Sequence, residues 1–294
     1  MHLSSHKIWS VVILIILFCM GVIQANIRAP LSINYMPSSA LFNKGNPELI
    51  VKKEYINFEC DSPYTGIPGR GESKTKFCNV MLNYYVVSKE SMNIALEFIS
   101  PSRDNLEIFI NEENVHATGE EKLSISNKEE EMMGFNNWHN RPVPPLYRIS
   151  FEGNVEKGKE NVITIKYKQL MGAFETGHGY CSEGRWISKF SYELWPLKEW
   201  TLDDTFELTV VISVIHENKG LFSRSFSSKN VSCSCRTIKE QYLYNVFKYK
   251  PRSLAQEPNF SEVKPDLYKK DDRLYYRTRF NNTFPDRLEC MLEP

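Results

Sequence analysis

The sequence predicts an all-β protein: an antiparallel β-sandwich, as one unit or several, carrying disulfides and following an N-terminal signal peptide. Three observations predict it. Short runs of strand-forming residues with alternating apolar positions recur along the chain; Gly, Pro, Asn, Asp and Ser separate them; and no stretch keeps apolar residues at helical spacing for three turns. Short strands at regular spacing favour a sandwich architecture.

The first element is the export signal, expected over residues 1–25. Lys7 precedes the apolar run 11–20, and Ala25 supplies a small residue for cleavage before Asn26. The apolar stretch 8–23 covers 16 residues, and a membrane span needs about 20, so a cleaved signal is expected rather than an anchor. Phe18 stands where lipoprotein cleavage before Cys19 wants a small residue, which argues against lipidation. No later segment is long and apolar enough to span a bilayer, so the mature chain is expected to be periplasmic or extracellular, with no membrane span after cleavage. Losing residues 1–25 removes Lys7 and no acid, leaving 35 bases, 36 acids and a formal charge of −1. That balance excludes electrostatic capture of nucleic acid.

Residues 26–220 are expected to form the sandwich region, with strands near 47–58, 82–87, 92–99, 105–111, 146–151, 160–167, 189–195 and 205–214. The short connection at Pro196 predicts that the last two are antiparallel neighbours. Between 105–111 and 146–151 lies an excursion at 112–141, acidic around Glu129 to Glu131 and turn-rich from Gly134 to Asn140. Residues 221–294 read as a β-rich, cysteine-containing C-terminal segment, either part of the same unit or separate, with strands near 230–237, 241–250, 273–280 and 287–292.

Six cysteines remain after the signal: Cys60, Cys78, Cys181, Cys233, Cys235 and Cys290. An even count in an exported chain argues for disulfides. Cys60 closes one strand pattern and Cys78 opens the next across a Gly/Pro/Ser-rich loop, so these two are expected to pair and to staple a hairpin at its open end. The pairing of the other four stays open.

Two local patterns carry a resemblance. Residues 146–167, ending Gly158-Lys-Glu-Asn-Val-Ile-Thr-Ile-Lys-Tyr167, resemble the Gly-x-x-Asn-x-Ile-x-Val strand opening of extracellular jelly rolls and galactose-binding-like sandwiches. The sequence Tyr192-x-Leu194, then Trp200, then Phe206-x-Leu208-x-Val210 resembles a hairpin in a family of exported bacterial β-sandwich proteins of unknown function. An early strand at Glu54 and a strand closing from Phe98 to Pro101 extend that likeness over roughly 50–200, with gaps. The resemblance implies export and a sandwich fold, and supplies no catalytic residue.

Residues able to carry chemistry are few. His178 and Cys181 lie close in a glycine-rich stretch, and a thiol nucleophile would need such a base; in an oxidising compartment Cys181 is more simply half of a disulfide. Cys233 and Cys235 have redox spacing, but their surroundings read as strand and structural bridges are favoured. No repeated metal-ligand spacing, nucleotide loop or hydrolase elbow occurs, so neither metal nor cofactor is expected. Asp203–Asp204 and Asp271–Asp272 read as solvated turns.

Aromatic residues suggest binding instead. Trp195 and Trp200 are expected in the core, whereas Trp138 sits in the polar excursion with no apolar period around it and is expected to be exposed, with Phe135 and His139 beside it. Long loops on sandwich scaffolds commonly carry recognition. The expected function is therefore non-enzymatic binding of an envelope or extracellular protein or a glycan, centred on Phe135, Trp138 and His139. The alternatives are a carbohydrate-binding module or an extracytoplasmic enzyme, glycan-active through carboxylates or thiol-dependent through Cys181 or the Cys233/Cys235 pair.

Overall fold

A computed structural model describes residues 32–33, 38–43, 48–65, 67–68, 71–72, 74–103, 105–124, 145–176, 185–215, 232–238, 266–281 and 283–293. In chain order the strands are β1 (Ser32–Ile33), β2 (Ser38–Ser39), β3 (Phe42–Asn43), β4 (Leu49–Cys60), β5 (Ile67–Pro68), β6 (Gly71–Glu72) and β7 (Phe77–Ser88). There follow β8 (Met92–Ser100), β9 (Glu107–Ile110), β10 (Glu113–Asn114), β11 (Ala117–Lys122), β12 (Tyr147–Val155), β13 (Glu160–Leu170) and β14 (Gly172–Thr176). The last are β15 (Arg185–Glu193), β16 (Thr201–Ile215), β17 (Ser232–Ile238), β18 (Asp266–Lys270), β19 (Arg273–Phe280) and β20 (Arg287–Glu293). The expected all-β class is what the chain adopts.

Strand β4 shows how the sequence produces its sheet. Ile56, Phe58 and Cys60 alternate inward as a two-residue period requires. The register with β7 shifts between Val51 and Lys53, a bulge that returns Leu49 and Val51 to the same inner face. The uneven alternation of residues 47–58 is the mark of that bulge, and it leaves Glu54 on the apolar face.

One layer of the sandwich is an eight-stranded sheet in the order β10-β9-β13-β7-β4-β16-β19-β18. Two sheets face it: β11-β12-β8-β3, and β1-β14-β15-β20-β17 with β2 joined to β15. Their inner side chains form one core, with Phe98 edge-on to Tyr167 at 5.0 Å and Phe58 against Phe190 at 4.8 Å. Residues 38–43 tie the two facing sheets together, because β2 pairs with β15 and β3, two residues later, pairs with β8.

Residues 189–195 and 205–214 are not the antiparallel neighbours that their short loop predicts. β15 belongs to the six-stranded sheet, and a 3-10 turn at Trp195–Glu199 carries the chain into β16 of the eight-stranded one. There β16 runs parallel to β4 and antiparallel to β19. Trp195, Pro196 and Leu197 are buried, so the connection is an inter-sheet corner whose apolar residues fill the core. In the C-terminal segment β18 and β19 complete the eight-stranded sheet, while β17 and β20 extend the six-stranded one.

Cys60 and Cys78 are joined as expected, facing each other where β4 meets β7. Cys290, buried on β20, is also disulfide-bonded. Cys181 and the side chains of Cys233 and Cys235 lie outside the described residues, as do residues 1–25 and the strand expected at 241–250. Replacing Cys60 and Cys78 together by alanine should lower the unfolding free energy by about 3 kcal/mol, as loop-closure entropy gives for a separation of 18 residues. Urea denaturation measures it, and a loss under about 1 kcal/mol would show that the staple does not restrict the unfolded chain.

Candidate functional site

Phe135, Trp138 and His139 lie outside the described residues. The segment that contains them leaves β11 at Lys122 and returns at Tyr147, which are register partners on the four-stranded sheet. The first part of the excursion expected at 112–141 contains strands, at Glu113–Asn114 and Ala117–Lys122. Trp195 and Trp200 are core residues, as expected.

The core contains a group of polar side chains that the sequence reading passed over. The Tyr192 hydroxyl donates to Glu54 Oε1 at 3.3 Å and lies 3.1 Å from the Tyr84 hydroxyl, which accepts the Leu41 backbone N–H at 3.1 Å. The Trp200 indole N–H donates to the Leu41 carbonyl at 2.8 Å. Nearby, Tyr167 donates to Ser38 Oγ at 2.5 Å, Ser38 to Gln169 Oε1 at 2.8 Å, and Gln169 Nε2 to the Ser191 carbonyl at 2.9 Å. All of these side chains are buried. Burial pushes the Glu54 carboxyl up from 4.5 to about 8, against the lowering effect of the tyrosine hydrogen bonds, and it lifts the Tyr84 and Tyr192 phenols well above their ordinary values. The signal available in the sequence was an acidic residue on the apolar phase of β4, in line with Ile56 and Phe58. Every member of this group is buried, and its geometry is that of a structural tie.

The outer face of the eight-stranded sheet is different. An open groove of about 620 Å³ lies over β9 and β13, with Phe109, Val162, Thr164 and Lys166 along it and Glu112 and Lys159 at its end. Volumes of roughly 300–1,000 Å³ are typical of ligand sites. The Lys166 ammonium lies 4.9 Å from the Phe109 ring centroid.

The end of the groove is held firmly. Asn111 and Glu112 both take positive φ, 51° and 71°, and form a two-residue hairpin loop between β9 and β10. Asn111 donates to Asn161 Oδ1 at 2.8 Å and accepts the Val162 N–H at 2.9 Å. Asn161 also accepts the Glu156 N–H and donates to the Glu156 and Lys159 carbonyls. This is the asparagine of the Gly-x-x-Asn-x-Ile pattern, and its role here is to lock the turn before β13. Gly158, three residues earlier, adopts φ 67°, which a side chain would disfavour.

Strand register extends the groove across the sheet. Thr164 faces Phe109 on one side and Asn83 on the other, Asn83 faces Tyr55, and Tyr55 faces Thr209. Thr164 donates to Asn83 Oδ1 at 2.8 Å. Tyr85 carries Lys53 at 5.6 Å from its ring centroid, and at the far edge Tyr268 and Tyr275 stack at 5.0 Å with planes 3° apart. Phenol rings, amides and hydroxyls therefore share one solvent-facing surface. Tyr276, next to Tyr275, points the other way into the core.

Among the described residues no group of three or more His, Cys, Asp and Glu is placed to hold a metal, and no helix is long and apolar enough to cross a membrane.

The architecture defines an all-β sandwich with a disulfide. No family profile matches the chain, and no curated protein matches its sequence. Among solved structures it is similar to a Legionella pneumophila protein named "putative nutrient binding protein", at 10% identity and a TM-score of 0.52, over 89% of this chain and 72% of that one. It is also similar to an M1 zinc metallopeptidase from Deinococcus radiodurans at 9% identity and a TM-score of 0.34, over 87% of this chain and 44% of that one. The first likeness is one of fold; the second is too low to define a shared fold.

Glu54 makes stability depend on pH in a definite direction. Its folded value lies above its unfolded one, so the folded state keeps a proton that the unfolded chain releases. Stability from this group is fully present below pH 4.5 and is lost as pH rises to about 8. Glu54→Gln, which keeps the shape without the titration, should gain stability relative to the native protein across that window. Chemical denaturation at pH 4.5, 6 and 8 measures it, and parallel profiles for the two proteins would show that Glu54 titrates normally.

Proposed function

We propose that the protein is an exported, non-enzymatic binding protein that holds a glycan on the outer face of its eight-stranded sheet, starting in the Phe109 groove. The observation that carries this reading is the groove itself. It sets an aromatic ring beside a hydroxyl, two ammonium groups and several carboxylates on a turn locked by Asn111 and Asn161. Balanced donors and acceptors around a ring face suit an uncharged polyhydroxyl surface, and a rigid site binds without first being ordered. The Cys60–Cys78 disulfide and the apolar N-terminal run support export. The Legionella protein of similar fold, with its nutrient-binding name, supports a binding role.

The segment with Phe135, Trp138 and His139 supplies a second contact in this reading. Its composition supports that role, since aromatic residues stand in a long polar connection with no apolar period. It emerges at the Tyr147 end of β12, whereas the groove adjoins the turn after Val155 at the other end.

A glycan panel on the mature protein, followed by titration calorimetry, tests the reading. Phe109→Ala should weaken glycan binding about tenfold, the order of 1.4 kcal/mol for a ring contact. Trp138→Ala should weaken it too while changing stability by no more than about 0.5 kcal/mol, as expected of an exposed site. Binding unaffected by Phe109→Ala would remove the groove from the site, and a loss of several kcal/mol of stability in Trp138→Ala would place that residue in the core.

A further inference from the structure

Among the described residues the eight-stranded sheet ends at β18, and all five residues of that strand are exposed. Leu267 is 58% exposed although its register partner, Tyr276, is buried in the core. Directly paired residues share a face of the sheet. Leu267 therefore stands on the core side, at a place that the facing layer leaves uncovered. Tyr268, on the other face, is 44% exposed and stacks on Tyr275. β18 thus carries two of the three large hydrophobic side chains that are exposed among the described residues.

The charges of β18 complement the same strand reversed. Asp266 and Lys270, at its two ends, make no ion pair among the described residues. Lys270 lies directly opposite Arg273, a like-charge pairing that is unfavourable across a ladder, and Arg273 is already held by Glu59 and the Cys60 carbonyl. A second β18 laid antiparallel, Tyr268 opposite Tyr268, sets Asp266 of each copy against Lys270 of the other. Leu267 then meets Lys269, whose aliphatic stem covers it. Bonded and non-bonded pairs alternate away from the two-residue turn at Asp271 and Asp272, so the peptide groups of Leu267 and Lys269 are the ones directed away from β19. The same register matches those groups donor to acceptor. A shift of two residues sets Asp266 or Lys270 against Tyr268 and loses both ion pairs, and a shift of one would turn the second copy's core face outward.

We infer that β18 pairs in this register with β18 of a second copy of the chain, joining two eight-stranded sheets into one about a two-fold axis normal to them. An edge lysine ordinarily keeps a further strand from adding. Here Lys270 repels a basic strand and admits the chain's own Asp266, which gives the edge its choice of partner. The axis leaves both outer faces on the same side, with the two Phe109 grooves toward opposite ends of the joined surface. Five residues from each copy make a small seam, so the dimer is reversible and forms with rising concentration.

Sedimentation equilibrium of the full mature protein over a concentration series tests this. The mass should rise from that of one chain to that of two. Asp266→Lys and Lys270→Asp each set like charges against one another and should each weaken self-association at least about tenfold. Mixing the two variants sets the lysines of one against the aspartates of the other and should restore association to the native level, which also shows that both are folded. In the otherwise native chain Tyr268→Cys should give a disulfide-linked dimer on air oxidation, whereas Lys270→Cys, whose counterpart across the seam is Asp266, should not. A single chain at every concentration, association indifferent to both charge reversals, a mixture that stays monomeric, or no preference for the Tyr268→Cys crosslink would each overturn the inference. Glycan binding in the Phe109 groove is read separately and stands or falls without it.

Discussion

The structure depends on satisfying a stretch of backbone that runs through its own core. Residues 38–43 leave the six-stranded sheet after β2 and enter the four-stranded sheet as β3. Between the two ladders the backbone of Ala40 and Leu41 is buried and has no strand partner of its own. An unpaired buried amide or carbonyl costs roughly 1–3 kcal/mol. Tyr84 accepts from the Leu41 N–H, Trp200 donates to the Leu41 carbonyl, the Ala40 N–H donates to the Glu193 carbonyl, and Ser39 Oγ accepts the Ile99 N–H. Without these partners the layer facing the eight-stranded sheet would come apart into two.

Glu54 is the costly member of this arrangement. A carboxylate in that position would be a buried charge, so the group holds its proton, and Tyr192 and Tyr84 connect it to the crossing segment. The tie runs from β4 through β15 and β7 and so fastens both layers to the same point. A stiff inner seam also fixes the outer face, because residues alternate through each strand. Tyr84 points in and holds Leu41, while its neighbours Asn83 and Tyr85 point out on the outer face.

The two arginines of β19 show how the same residue type divides its duties. Arg273 binds the end of β4 through Glu59 and the Cys60 carbonyl, next to the disulfide, and strengthens the sheet where its ladders end. Arg277, four residues along on the same face, lies opposite Asp266 of β18 and Val211 of β16 and makes no ion pair among the described residues.

By itself the sequence determined the class of the protein and most of its strands, because apolar alternation and turn residues are local signals. It determined the Cys60–Cys78 bridge for the same reason, since both cysteines end adjoining strands. It also marked Glu54, Tyr192, Leu194 and Trp200 as a recurrent pattern without saying why they belong together. Only the tertiary structure decided that residues 189–195 and 205–214 occupy different layers. The loop between them is short enough for a hairpin, and what prevents one is the burial of Trp195 and Leu197, a preference set by the whole core. Tertiary structure likewise decided that Leu49 and Val51 join Glu54 on the inner face, through a bulge that shifts the phase of β4, and that Phe109, Thr164, Asn83, Tyr55 and Arg277 share one surface. Those five residues come from five strands, and register between distant strands is fixed by long-range pairing that no local pattern encodes.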